Sequence, residues 1–487
     1  RSIFKKGRHN VMKIVSLGIG LAVGLVLIAK VYFEQSYDDF YPDRDRVYQV
    51  WAKYQQNGGE LKDYPQTSGG IAPTMQQQIP EIETVTRYTS FGDWTFTMTD
   101  TKMKYSGRCI IADSCFFDIL PRPMLIGNAK EVLSTPMYVL ISSRIAKNIG
   151  GDVIGKNFTV DNSPGRTMTI GGVFEEVPEN SHSRYDVIVS MASAGRFMWE
   201  GSPTNMLGND RYISYVKLHK GVNPLALEEQ VRTFVNSYFP PEEQQKVGLS
   251  IDFSFHKLDN LHKELPQVKR MTWILSLLAF ALIFTAVMNY ILIVISSIVN
   301  RSKEVAVHKC YGASENNIHG MMFGEALVHI VLSLILALLL ILAFRGTVEE
   351  LLATSLDSLL LSNGSLVLLG ICILVFFVSG FMPGSLYARI PVASAFRNYR
   401  ENKRIWKKAL LLVQFVATGF LVTMLVFVAR QYTFMVNDRP GYAYENLAYC
   451  GLAGVDSTSR AKILDEVMRL PGVAAATTVY QLPFEHA

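Results

Sequence analysis

The chain has 487 residues, of which 49% are apolar and 18% charged, and it carries a net charge of +5. That length exceeds one ordinary domain, and the composition suits lipid-embedded helices joined to a large water-exposed part. The basic residues cluster at the edges of apolar runs, so nucleic-acid binding does not explain them.

Residues 1–33 read as a basic N-terminus and a first membrane helix. Arg1, Lys5, Lys6, Arg8 and Lys13 precede the apolar run Ile14–Ala29, which extends through Val31–Phe33. Lys13 and Lys30 lie near its ends, where long stems can reach the headgroups. A cleaved signal peptide is the alternative. However, the run lacks a small-x-small cleavage site and is followed by bulky Tyr32 and Phe33, which favours an anchor. The sequence opens on Arg1 and stops shortly after Pro483-Phe484, so a fragment trimmed at both ends is expected.

Residues 34–270 have the character of a soluble α+β domain. Strand-like runs recur at Val47–Tyr54, Cys109–Ala112, Val139–Ile141, Thr167–Val173, Tyr185–Ser190, Tyr212–Leu218 and Ser250–Leu258. Helical pieces fall at Ser143–Ile149 and Pro224–Tyr238; the second has an apolar stripe of Leu227, Val231, Phe234, Val235 and Tyr238, which reads as core packing. Gly150 to Asn157 nearly spells a phosphate loop. Asn157 stands where a magnesium-binding hydroxyl is needed, and no long helix follows, so the match is rejected. His256 and His262 flank Asp259 at a spacing that fits no metal triad and reads as surface polarity. Cys109, Cys115, Cys310, Cys372 and Cys450 show no metal-binding spacing, and a Cys109–Cys115 disulfide stays open.

Four further apolar runs are long enough to span a bilayer: 271–300, 326–344, 358–388 and 409–429. Between the first two lies 301–325, in which Val305, Cys310 and Tyr311 share one helical side. Gly312 supplies a stop and Ser314 a new N-cap, giving a short helix, a turn and a second helix at the membrane surface. An ordinary loop is the plain alternative. Segment 389–408 holds seven basic residues against Glu401, while 345–357 sets Arg345 against Glu349, Glu350 and Asp357. The positive-inside rule then puts the N-terminus, 301–325 and 389–408 inside, and 34–270, 345–357 and 430 onward outside. The spans carry almost no charge, with Asn289 their most interior polar residue and Glu325 at an edge. A solute-coupled carrier would hold ionisable groups at mid-membrane depth. No HExxH, GxSxG or nucleotide-binding signature is present, so an enzyme is not expected.

Several segments, in this order, are similar to those of one family. Glu34-Gln35-Ser36-Tyr37-Asp38 and Phe40 lead into Arg46-Val47-Tyr48-Gln49-Val50. Asp113-Ser114-Cys115-Phe116-Phe117-Asp118, Ile154-Gly155-Lys156, Gly171-Gly172-Val173 and Pro178-Glu179-Asn180-Ser181-His182 follow. The link then reads R-x-K-E-x-A-V-x-K-x-x-G-A-S from Arg301 to Ser314, with Gly324-Glu325 opening the next span. Together they resemble the FtsX/MacB-type ABC-transporter permeases, particularly the bacteroidete kind. Tyr37, Phe40, Phe116 and Phe117 also read plainly as core anchors, and the glycines as turn positions.

The resemblance implies an α-helical membrane bundle plus an α+β extracytoplasmic domain, with a four-helix permease unit followed by the start of a second copy. Residues 389–408 form its basic linker, 409–429 its first helix, and 430–487 the start of a second periplasmic domain, including a helix over Ser459–Leu470. The doubled whole would have eight membrane helices, five of them here. The family's cytoplasmic segment contacts an ATPase, which marks Arg301, Lys303, Glu304, His308, Lys309, Gly312, Ala313 and Ser314 as the coupling interface. This chain is expected to bind no cofactor, with ATP and magnesium held by a cytoplasmic ABC ATPase dimer. Membrane lipids, a second permease copy, and periplasmic or outer-membrane components are the other expected partners, with no nucleic acid, at the bacterial inner membrane. A membrane-anchored sensor or scaffold that binds a ligand or cell-wall enzyme outside and signals inward is the alternative.

Overall fold

The computed structural model describes residues 9–160, 163–208, 210–361, 364–388, 392, 405–437, 446–452, 455 and 457–479. The chain divides into a helical unit, Arg1–Tyr37 with Asp259–Pro440, and a second unit, Asp38–Leu258 with Gly441–Ala487.

The long helices of the first unit are α1 Asn10–Gln35, α2 Pro266–Ser296, α3 Ile298–Cys310, α4 Glu315–Ala343, α5 Ser365–Ala388 and α6 Ile405–Asn437. All but α3 include a stretch long and apolar enough to cross a membrane. The α1, α2, α4 and α5 helices share one core, in which Leu17, Leu21, Leu25, Ile291, Ile330 and Val375 meet. Close approach of α1 to α2 depends on missing side chains: a Cβ on Gly20 would fall 2.2 Å from that of Ala286. Such small-residue contacts suit helices in lipid, where tails are as apolar as leucine and backbone proximity supplies the attraction.

Two expectations change here. The helix after the turn is not a separate surface element, because α4 runs unbroken from Glu315 to Ala343. Run 358–388 is broken, with a short helix Leu356–Leu360 ahead of α5. Its N-cap is Ser355, which accepts from the Ser358 amide. Most of the basic linker 389–408 lies outside the described residues, as do 438–445 and 480–487. Beyond α6, a helix spans Ser457–Met468 and buries none of its residues.

The second unit is built on β1 Val47–Gln56, β2 Lys62–Tyr64, β3 Ile82–Met98, β4 Lys104–Ala112, β5 Met124–Ile126, β6 Tyr138–Ser142, β7 Asn157–Val160, β8 Ser163–Phe174, β9 Val187–Ser190, β10 Ile213–Leu218 and β11 Leu249–Lys257. Among the described residues they join one mixed sheet in the order β11-β1-β10-β3-β4-β9-β6-β8-β5, with β2 beside β1 and β7 beside β3 and β8. Helices Ile71–Gln78 and Glu228–Tyr238 pack against β1, β3, β10 and β11 through Met75, Val231, Phe234 and Val235. A second core gathers Phe96, Cys109, Val139, Phe158, Ile170 and Val187.

The strand shared by both cores, β3, is absent from the sequence reading. Its 17 residues contain Ser90-Phe91-Gly92-Asp93, which looks like a turn. The structure uses it as a bulge: the register against β4 slips between Ser90 and Asp93, and Gly92 takes φ +72°. A glycine in the left-handed region accommodates the extra residue without ending the strand.

Candidate functional site

The turn after α3 is stopped by local hydrogen bonds. Gly312 N donates to Lys309 O at 3.0 Å and Ala313 N to His308 O at 3.0 Å. With Gly312 at φ +88°, this is the paired-bond ending that places a left-handed residue just past a helix. Ser314 then caps α4, its Oγ accepting from Asn317 N at 3.3 Å. A rigid corner results, with helix on both sides.

One face of α3 is buried: Ser302, Val305 and Ala306, the last two in the same core as Ile318 and Met322 of α4. Lys303, Glu304, Val307, His308 and Cys310 are exposed, Lys309 is half-buried, and the backbone of Arg301 belongs to the same helix. Gly312 and Ser314 are exposed and Ala313 is half-buried. The expected grouping of Val305 with Cys310 and Tyr311 is therefore corrected. The helix ends at Cys310, so Tyr311 leaves its periodicity and stands 89% exposed at the apex. Sequence reasoning missed this aromatic; its position directly before the stopping glycine was the available signal.

The expectation of an almost charge-free bundle is also corrected. Lys13 is buried beside Glu325, with Nζ 3.5 Å from Oε1, and does not snorkel. Lys30 Nζ lies 2.6 Å from Glu34 Oε1 and 2.7 Å from Thr354 Oγ1. His262 Nε2 contacts Glu34 Oε2 at 2.6 Å, and its ring stacks on Tyr37 at 3.5 Å. His329 and Tyr290 form a buried pair at 3.1 Å, whereas Asn289 is only half-buried. His262 is thus held by Glu34 and Tyr37 and is not left to solvent. Charged ends of an apolar run read as snorkelling until tertiary neighbours supply a counter-charge.

In the second unit, two of the motif segments are each other's partners. Asp38 is fully buried, and its amide donates to Asn180 O at 2.9 Å. Ser181 Oγ donates to Asp38 Oδ1 at 2.8 Å, while His182 Nδ1 meets Oδ2 and Nε2 meets the Tyr215 hydroxyl. A carboxylate can only accept, so Nδ1 donates to Asp38, and Nε2 shares a hydrogen bond with the Tyr215 hydroxyl. Burial pushes the Tyr215 phenol well above its usual range, so it stays protonated. Serine and histidine follow Asn180 in sequence because both are needed to satisfy one buried carboxylate. Of the expected aromatic anchors, Phe116 is fully buried, while Tyr37, Phe40 and Phe117 are half-buried.

The cysteines are all free. Burial holds the Cys109 thiol well above its ordinary value, and burial and then Asp113 push Cys115 up to about 11. Gly150 to Asn157 forms no phosphate cradle, since Asn157 opens strand β7 and not a helix. No cluster of three metal-ligating side chains occurs among the described residues.

A bundle of apolar helices, a stopped corner between two of them and an α+β domain inserted after α1 define a multi-span membrane protein. Residues 12–234 match the family of MacB-like periplasmic core domains, and residues 276–392 match the FtsX-like permease C-terminal family. A crystallised domain of a Porphyromonas gingivalis permease protein is 33% identical over 45% of this chain and 91% of that domain, with a TM-score of 0.41. The periplasmic region of MacB from Actinobacillus actinomycetemcomitans is 16% identical, over 42% of this chain and 87% of that one, with a TM-score of 0.28. The extracellular domain of the noncanonic ABC-type transporter YknZ from Gram-positive bacteria is 11% identical, over 42% and 98%, with a TM-score of 0.30. A comparison with curated proteins finds no match. The chain belongs to the FtsX/MacB-like permease family and is an ABC-transporter permease with a periplasmic domain. Permeases of this family work with cytoplasmic ABC ATPases.

Proposed function

We propose that this permease works by mechanotransmission at the inner membrane. A separate cytoplasmic ATPase dimer, holding the ATP and magnesium, presses on the corner at 301–325, and the helices relay that motion to the periplasmic domain. The chain itself performs no hydrolysis. One observation carries this reading: the exposed residues of α3 sit on a helix whose other face, Val305 and Ala306, is embedded in the bundle core. Force applied at Glu304, His308, Lys309 or Tyr311 therefore displaces packed helices and is not absorbed by a loose loop. Charged side chains supply directional contacts to a soluble partner, and an exposed aromatic is the usual energetic anchor of an interface. The cargo class is a peptide, drug or lipoprotein released on the periplasmic side, or a cell-wall hydrolase activated there. A second copy of the helical unit, beginning at α6, would complete the doubled permease.

The test is affinity capture of the full chain with identification of what co-elutes, repeated with Glu304→Lys combined with Lys309→Glu. Capture of an ABC ATPase by the native chain is expected, with loss of capture or of ATP-dependent transfer in the variant. A partner that is a periplasmic enzyme with no ATPase would favour the sensor or scaffold. Unchanged capture and coupling in the variant would remove the proposed contact residues.

A further inference from the structure

Three polar residues line the core side of α4 at four-residue spacing: Glu325, His329 and Ser333. Four residues advance a helix by about 6 Å and return nearly to the same face. The three therefore form a seam running into the bundle from the end of α4 that carries the turn.

Every member of the seam is tied to a neighbouring helix. Glu325 pairs with Lys13 of α1, whose side chain is 1% exposed and whose Nζ also lies 3.3 Å from Asn10 Oδ1. His329 Nδ1 meets the Tyr290 hydroxyl of α2 at 3.1 Å. Ser333 Oγ donates to the Ile14 carbonyl at 3.1 Å. The seam thus holds α1 at two points and α2 at one.

Apolar contacts between helices in lipid set proximity but tolerate sliding, because a leucine meets another leucine or a lipid tail on nearly equal terms. A buried lysine facing a half-buried glutamate does not tolerate it. Sliding separates opposite charges where the dielectric is low. We infer that this polar seam locks the axial register of α1 against α4. The helix growing out of the coupling turn and the helix leading in sequence to Asp38 then move as one body. The register lock stands by itself; only its role in transmission rests on the coupling function proposed above. Lys13 and Glu325 are positioning residues on this account, acting through the helices they align.

The experiment uses the full chain in lipid nanodiscs, its five cysteines changed to alanine and spin labels attached at Ile19→Cys and Leu338→Cys, both sites exposed. Spin-label distances are compared for this background, for Lys13→Met with Glu325→Met, and for the exchange Lys13→Glu with Glu325→Lys. The methionine pair removes both charges together, and thermal unfolding of each variant confirms that it retains the fold. The background should give one narrow distance. The methionine pair should broaden it or add a second population, as a slide of about one turn, 5.4 Å, along the axis requires, and the exchange should restore the narrow peak. A methionine pair as narrow and unshifted as the background overturns the lock. With the co-eluting ATPase bound, ATP should leave the background distance unchanged while altering it in the methionine pair. A nucleotide-dependent distance in the background overturns the one-body movement. Failure to capture any ATPase defeats the coupling function, and the distance widths still decide the lock.

Discussion

The helices α1 and α6 have the same mean hydropathy over their most apolar stretches, yet 44% of that stretch is buried in α1 and 6% in α6. Apolar content decides that both enter a bilayer; it does not decide whether either finds a partner there. What holds α1 lies in a few residues. The α1 helix has Gly20 and Gly24, whose missing side chains admit Ala286 and Ile283, and it has Lys13, Lys30 and Glu34 with buried partners. The α6 helix has Gly419, with open space around it, and large exposed side chains such as Leu412, Phe415 and Phe427. In lipid, small residues and polar hooks make helices associate, since burying another leucine gains almost nothing over a lipid tail.

The sharpest way to break that comparison is to remove a hook. Lys30→Met should lower the stability of the helical unit by about 3 kcal/mol, because Glu34 keeps His262 but loses the charge 2.6 Å away. Thermal unfolding in detergent measures this, and Lys30→Met with Glu34→Leu should recover most of the loss. An unchanged melting curve for the single variant would mean that the polar hooks do not hold α1.

Next in size is a paired glycine substitution. Gly20→Leu should cost about 1–3 kcal/mol by overpacking against Ala286, whereas Gly419→Leu should leave the melting curve where it was. Equal effects at both sites would show that α6 is as tightly held as α1. At the corner itself, Gly312→Ala should cost about 1–2 kcal/mol, since a Cβ strains the left-handed backbone even in open space. Faster amide exchange over Ile298–Cys310 is the readout. A rate equal to native would show that α3 is held by Val305 and Ala306 alone.

The smallest effect contrasts a buried pair with a half-exposed one. Hydrogen bonds from Arg46 and Lys217 hold Asp43 at about 2, below its ordinary 3.8. A carboxylate with a lowered value stabilises the fold above the unfolded value, and that contribution is lost as pH falls through the folded one. The stability of the periplasmic unit should therefore drop between about pH 4 and pH 2, by less than about 1 kcal/mol after solvent screening. Asp43→Asn should flatten that part of the pH profile, and an unaltered profile would assign the drop to other carboxylates.

The sequence by itself determined what depends on local pattern. Five apolar runs are visible without tertiary information because partition into lipid follows composition. Gly312 and Ser314 mark the corner because a left-handed stop and a side-chain cap are decided within a few residues. Tertiary structure alone decided which runs associate, that Gly92 sits in a bulge within one long strand, and that Asp38 is answered by Ser181 and His182. It also decided that Lys13 and Lys30 are buried and that Tyr311 faces outward. These depend on groups far apart in the chain, and a charge at the edge of an apolar run looks the same whether water or a distant carboxylate satisfies it.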